Sequence, residues 1–219
     1  MIIAPWHFSE PLAKPFYSFC LLPTLTMHPS HTATLVDFFS ENFAAKFPNI
    51  HRHWSAEILS VHGLLDIPSL QQPALPLAML PSPAFENLIA HLGGVLGGAR
   101  IRRIISHAEI HMLQEAIGSS VVDFVRSKAS QLHPGLADHQ WCFEGPLANA
   151  IVEMGEELLA KAFLAAPRAV GLRGLWRLPV RAVSATNLMS FEGGEALHLS
   201  TRVLQEIEPA WLSLFTADR

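Results

Sequence analysis

Apolar residues along this chain recur three and four positions apart, and alternation at every second position is nearly absent. That spacing predicts helices. Leu35, Phe39, Phe43 and Phe47 form one i, i+4 row with Phe38 widening the face, Thr34 and Asp37 make a capping pattern, and Pro48 is a stop, so a helix is predicted over 34–47. A second is predicted over 54–61, ending near Gly63. Ser82-Pro83 resembles a cap followed by a first-turn proline and opens a helix over Phe85, Leu88, Ile89 and Leu92 that frays at Gly93-Gly94. The pair Gly97-Gly98 fits a close helix approach or a kink as well as it fits a simple loop.

Further along, Ser106-His107-Ala108-Glu109 and Ser120-Val121-Val122-Asp123 both match the capping box, in which the hydroxyl and the acid satisfy each other's exposed amides. Each predicts a helix start. Ile110, Leu113 and Ile117 then keep helical spacing, Val121, Val122, Phe124 and Val125 continue it, and Gly118 fits a left-handed stop between the two helices. Pro146 at a first-turn position begins the longest predicted helix, with Leu147, Ile151, Met154 and Leu158 on one face and Glu153, Glu156, Glu157 and Lys161 on the other. Pro167 ends it. A helix over 195–206 and a short turn around Trp211 complete the pattern.

Prolines set the boundaries. Pro5, Pro11, Pro15, Pro23 and Pro29 forbid a continuous helix, so residues 1–33 are expected to form an irregular arm and residues 34–219 a single helical domain. Pro68, Pro73, Pro76, Pro81 and Pro83 make residues 66–83 a linker or extended crossing segment. The expected fold class is all-α: an irregular helical bundle with a Pro-rich N-terminal arm and little strand.

Composition narrows the function. Half of the 219 residues are hydrophobic and 16% are charged, which excludes an intrinsically disordered chain and leaves apolar surface available for burial against another protein. A net charge of −4 gives no overall electrostatic case for nucleic acid, and Arg100, Arg102 and Arg103 lack the interleaved aromatic residues on which bases stack. Cys20 and Cys142 stand far apart, so neither a disulfide framework nor a CxxC site is expected and a reducing compartment fits. Met1-Ile2-Ile3-Ala4-Pro5-Trp6 does not begin like a signal peptide, and the most apolar stretch, 147–172, is broken by Glu153, Glu156, Glu157 and Lys161, so neither export nor membrane insertion is expected.

Candidate chemistry is sparse. His107-Ala108-Glu109 spells half of a zinc deaminase motif, but the Pro-Cys-x-x-Cys that completes the metal shell is missing and Cys142 stands alone. His107 and His111 share a helix face, with Glu115 continuing the row. A small helical metal-dependent enzyme using His107 and His111 is therefore the alternative reading, against the simpler one of a solvated polar stripe. No nucleophile elbow, phosphate loop or dinucleotide fingerprint occurs, so no residue is named as catalytic and no cofactor or small-molecule substrate is expected.

Residues 93–129 resemble the central motif of a type III secretion family called YscK or SctK, and HrpD in plant-associated bacteria: a glycine and leucine run, the paired Arg102-Arg103, a helix ending at Ile117-Gly118, and a following Asp123-Phe124. His28-Pro29-Ser30 is similar to an early element of that family, although His31 replaces the aromatic residue expected next. Arg177-Leu178-Pro179 resembles a late Leu-Pro element. The resemblance implies a non-enzymatic cytoplasmic adaptor of the sorting platform, at the cytoplasmic face of the inner membrane, that links the inner-membrane ring protein's cytoplasmic domain to the pod or C-ring protein. A secretion chaperone fits less well, those proteins being typically smaller, more acidic and of mixed structure. Arg100, Arg102 and Arg103 are the candidate partner-binding residues: three cations so close together cannot all be buried unpaired, and the alternative to a binding role is that they merely solvate a helix or pair with Glu109 and Glu115.

Overall fold

The computed structural model describes residues 10–32, 49–185, 188 and 190–216. All regular structure among them is helical, as the spacing predicts. In chain order the helices are α1 (Glu10–Leu21), α2 (Pro29–Thr32), α3 (Ile50–Val61), α4 (Leu75–Ala78), α5 (Ser82–Leu96), α6 (Gly98–Arg103), α7 (His107–Ile117), α8 (Ser119–Ser127), α9 (Ala129–Leu132), α10 (Leu147–Leu164), α11 (Arg168–Leu175), α12 (Val180–Ser184), α13 (Gly193–Ile207) and α14 (Pro209–Thr216). The helix predicted over 34–47 lies outside the described residues.

The centre of the fold is the packing of α10 against α5, with α11 and α13 also against α10. Glycine makes the contact possible. A Cβ at Gly93 would lie 1.7 Å from the Ile151 carbonyl oxygen, and one at Gly155 would lie 2.0 Å from that of Ile89, so the two backbones touch where side chains would hold them apart. Gly93-Gly94, where the sequence predicts fraying, is instead the interior of α5. The helix runs on to Leu96 because Leu92, Val95 and Leu96 are fully buried, and that burial outweighs the weak helix preference of two glycines. Gly97 then joins α5 to α6 as a kink.

Two proline-rich stretches are more ordered than their composition predicts. In the first 33 residues, where irregular backbone is expected, α1 forms with Pro15 inside it, and its Leu12, Phe16, Phe19 and Cys20 enter the core. The prolines still divide the chain: α1, a 3-10 turn at Pro23–Leu25 and α2 are separate pieces. In 66–83, residues 74–80 are all buried around the single turn of α4. This segment is a core element, because Leu75, Leu77, Met79 and Leu80 gain more from burial than a solvated linker could offer them.

Caps follow the sequence in one place and depart from it in another. The Ser106 hydroxyl accepts from the Glu109 amide at 3.4 Å and opens α7. Ser120, expected to cap the next helix, is already inside α8, whose N-cap is Gly118. Gly118 has φ +95°, a conformation that favours glycine, so it serves as stop and start at once.

Candidate functional site

The three arginines sit on α6 where the kink at Gly97 turns the chain toward the surface. Residues 134–141 wrap against them. Gly135, at φ +95°, lets this strap approach Ala99 closely, and the Leu136 amide donates to the Leu96 carbonyl at 2.7 Å. Arg103 Nη1 donates to both Asp138 oxygens at 3.2 and 2.9 Å, Arg100 lies 3.6 Å from Asp138, and Arg102 Nη2 donates to the Pro134 carbonyl at 3.2 Å. The Arg100 guanidinium also stacks 4.1 Å from the centre of the Trp141 ring. Hydrogen bonding from Arg103 and the charges of Arg103 and Arg100 hold the Asp138 carboxyl below its ordinary pKa.

Asp138 is thus the acid these arginines meet, in place of Glu109 or Glu115. Those acids follow closely in the chain, but α7 starts only after the break at 104–106 and carries them elsewhere: Glu109 is in the cap and Glu115 is 3.4 Å from His111. Arg102 and Arg103 remain exposed and Arg100 is half-buried. One carboxylate against three guanidinium groups leaves this corner positive.

The alternative site does not assemble. His107 and His111 are both exposed with ring centres 6.5 Å apart, and among the described residues no group of three or more His, Cys, Asp or Glu is placed to hold a metal ion. Cys142 is exposed and remote from that helix in sequence, and Cys20 is buried, its thiol pushed up to about 12 by desolvation.

A second cluster escaped the sequence reading. On α10, Glu156 and Glu157 are buried, contrary to the expectation that all four charged residues of that helix face solvent; only Glu153 and Lys161 are part-exposed. Arg181 of α12 explains Glu156, reaching it at 2.8 Å while its other nitrogen meets Glu153 at 3.2 Å. Desolvation pushes the Glu156 carboxyl up to about 7, with Arg181 opposing. Two further buried arginines tie backbone together. Arg177 donates to the Ala78 carbonyl at 2.7 Å and lies 3.9 Å over Phe85, and Arg173 donates to the carbonyls of Ala169, Cys20 and Leu64. The signal in the sequence was the four-residue spacing of Arg173, Arg177 and Arg181, of which Arg181 pairs with glutamates of α10 while the other two donate to backbone carbonyls.

This cluster joins the two motifs that flank the central one. The His28 amide donates to the Trp176 carbonyl at 2.7 Å, the Val180 amide donates to the Ser30 hydroxyl at 3.0 Å, and His31 Nε2 lies 2.8 Å from the Leu178 carbonyl. His-Pro-Ser and Arg-Leu-Pro, about 150 residues apart, are thus one structural joint. Burial, then the nearby charges of His31 and Arg181, lower the His28 pKa.

Fold and sites together define an all-α protein with a positive corner on α6 and with residues 20–31 joined to 173–181 beside buried arginines. A model of the family described as YOP proteins translocation protein K (YscK) matches residues 19–215, most of the chain, and the chain belongs to that type III secretion family. Neither the curated proteins nor the solved structures contain a match. No helix among the described residues is long and apolar enough to cross a membrane.

Proposed function

We propose that this protein is an adaptor of the type III secretion sorting platform, acting through protein binding and not catalysis. In this reading it bridges the cytoplasmic domain of the inner-membrane ring protein and the pod or C-ring protein, at the cytoplasmic face of the inner membrane. Membership of the YscK family over residues 19–215 carries the reading. The positive corner of Arg100, Arg102 and Arg103 supports it, offering a surface whose charge can set the orientation of an acidic partner.

The test is binding of the purified chain to each of the two partners, with R102E/R103E as the probe variant. Both positions are exposed, so the variant is expected to fold with an unchanged circular dichroism spectrum. It should lose affinity for at least one partner, with the larger loss at low salt, where attraction between charges is least screened. A folded variant that keeps wild-type affinity for both removes the arginines from the interface. Wild-type protein that binds neither partner removes the adaptor role itself.

A further inference from the structure

Three of the large apolar side chains that the fold leaves exposed line one groove: Tyr17 and Leu21 on α1 and Leu65 just beyond α3. Leu65 is about three-quarters exposed, at 74%, and Tyr17 and Leu21 about half. Between α1 and α3 runs a groove of about 850 Å³. One wall is Lys14, Tyr17, Ser18 and Leu21, the i, i+3, i+4, i+7 stripe of α1 opposite to the stripe that enters the core. The other is Arg52, Ala56 and Leu59 of α3, at i, i+4 and i+7, with Leu65 closing the end.

The groove is held open by interior bonds. Arg173, 3% exposed, donates at 3.2 Å to the Cys20 carbonyl at the end of α1 and at 2.7 Å to the Leu64 carbonyl beside Leu65, fixing both walls to α11. Arg168 adds a bond to the His62 carbonyl at 3.0 Å, and the Thr24 and Ser55 hydroxyls meet at 2.7 Å beneath the turn that links the walls. A pre-shaped apolar groove loses little entropy on binding.

Its charge selects the occupant. Lys14 on one wall and Arg52 on the other are the charged residues that line it, while Glu57 and Asp66 lie outside the lining. We infer that this groove docks an acidic amphipathic helix of a partner protein, with apolar residues at i, i+3, i+4 and i+7 buried between α1 and α3 and carboxylates on both flanks meeting Lys14 and Arg52. The α1 stripe from Lys14 to Leu21 is about 10 Å long, which a helix of about two turns matches. The site is distinct from the arginine corner on α6, so it does not depend on which protein that corner meets.

The probe is a fluorescent helical peptide with leucines at i, i+3, i+4 and i+7 and glutamates on both flanks, titrated against the full chain by anisotropy. A second peptide carries lysines in place of the glutamates. The acidic peptide should bind and the basic one should bind at least about tenfold more weakly; L21S/L65S should lose about tenfold or more, and K14E/R52E should reverse the preference. Leu21 and Leu65 are exposed, so the variants are expected to fold, which circular dichroism checks. Failure of both peptides to bind, or equal binding to wild type and L21S/L65S, overturns the inference. So does a photo-cross-linker at position 21 that captures residues 34–47 of the same chain or a second copy of it, which would assign the groove to those occupants instead. Since no secretion protein enters the assay, its failure is distinguishable from failure of the adaptor reading.

Discussion

The Glu156 carboxyl lies between two opposing influences, and their balance has a sign that can be measured. Desolvation raises its pKa to about 7 while Arg181 pulls it down, and desolvation prevails. The folded state thus holds this proton more tightly than the unfolded chain, whose carboxyl titrates near the ordinary 4.5. Its cost to stability is absent below pH 4.5, grows as pH rises from about 4.5 to about 7, and is complete above 7. E156Q should therefore raise the melting temperature at pH 8, with the gain shrinking toward pH 5; a lower melting temperature at pH 8 would mean that the pairing with Arg181 dominates. At Leu113, buried in α7, replacement by alanine should cost roughly 2–5 kcal/mol by denaturant titration. Phe124, half-buried with its ring 5.0 Å from that of His91, should cost less, and equal losses would contradict this burial difference.

At the scale of elements, the decisive contact is the crossing of α5 and α10. Gly155→Ala would place a methyl group 2.0 Å from the Ile89 carbonyl oxygen, on backbone that no rotamer change can relieve. The expected loss is at or above the top of the roughly 1–3 kcal/mol range of overpacking, read as a lowered denaturation midpoint. A change below about 0.5 kcal/mol would show the helices farther apart than described. Gly145→Ala is no control, since that residue has φ +81°, whereas Gly194→Ala has open space and should be nearly silent. This crossing also marks the limit of what the sequence conveys. The starts of α5, α7 and α10 were legible because prolines and the Ser106 cap act locally. The continuity of α5 through Gly93-Gly94 and the order in 10–21 and 74–80 were not, because they depend on burial against residues distant in the chain. The same holds for charges: the arginines of α6 could be named from sequence, but Asp138 reaches them only by way of the turn at Gly135.

Over the whole molecule, segments far apart in the chain meet beside the central helix pair. His28-Pro29-Ser30 is bonded to Trp176 and Val180, Arg173 holds the end of α1, and Trp211 of α14 donates to the Pro76 carbonyl at 2.9 Å. The positive corner on α6 and the apolar groove of α1 and α3 are built on different elements of this joined body. An adaptor needs such separation, since two partners must be held at once. The most direct test is sedimentation velocity of the purified chain mixed with the ring protein's cytoplasmic domain and the pod protein. The account predicts one faster-sedimenting species containing all three proteins, absent when this chain is omitted. Mutually exclusive binding of the two partners, or a complex of those two that forms equally well without this chain, would contradict it.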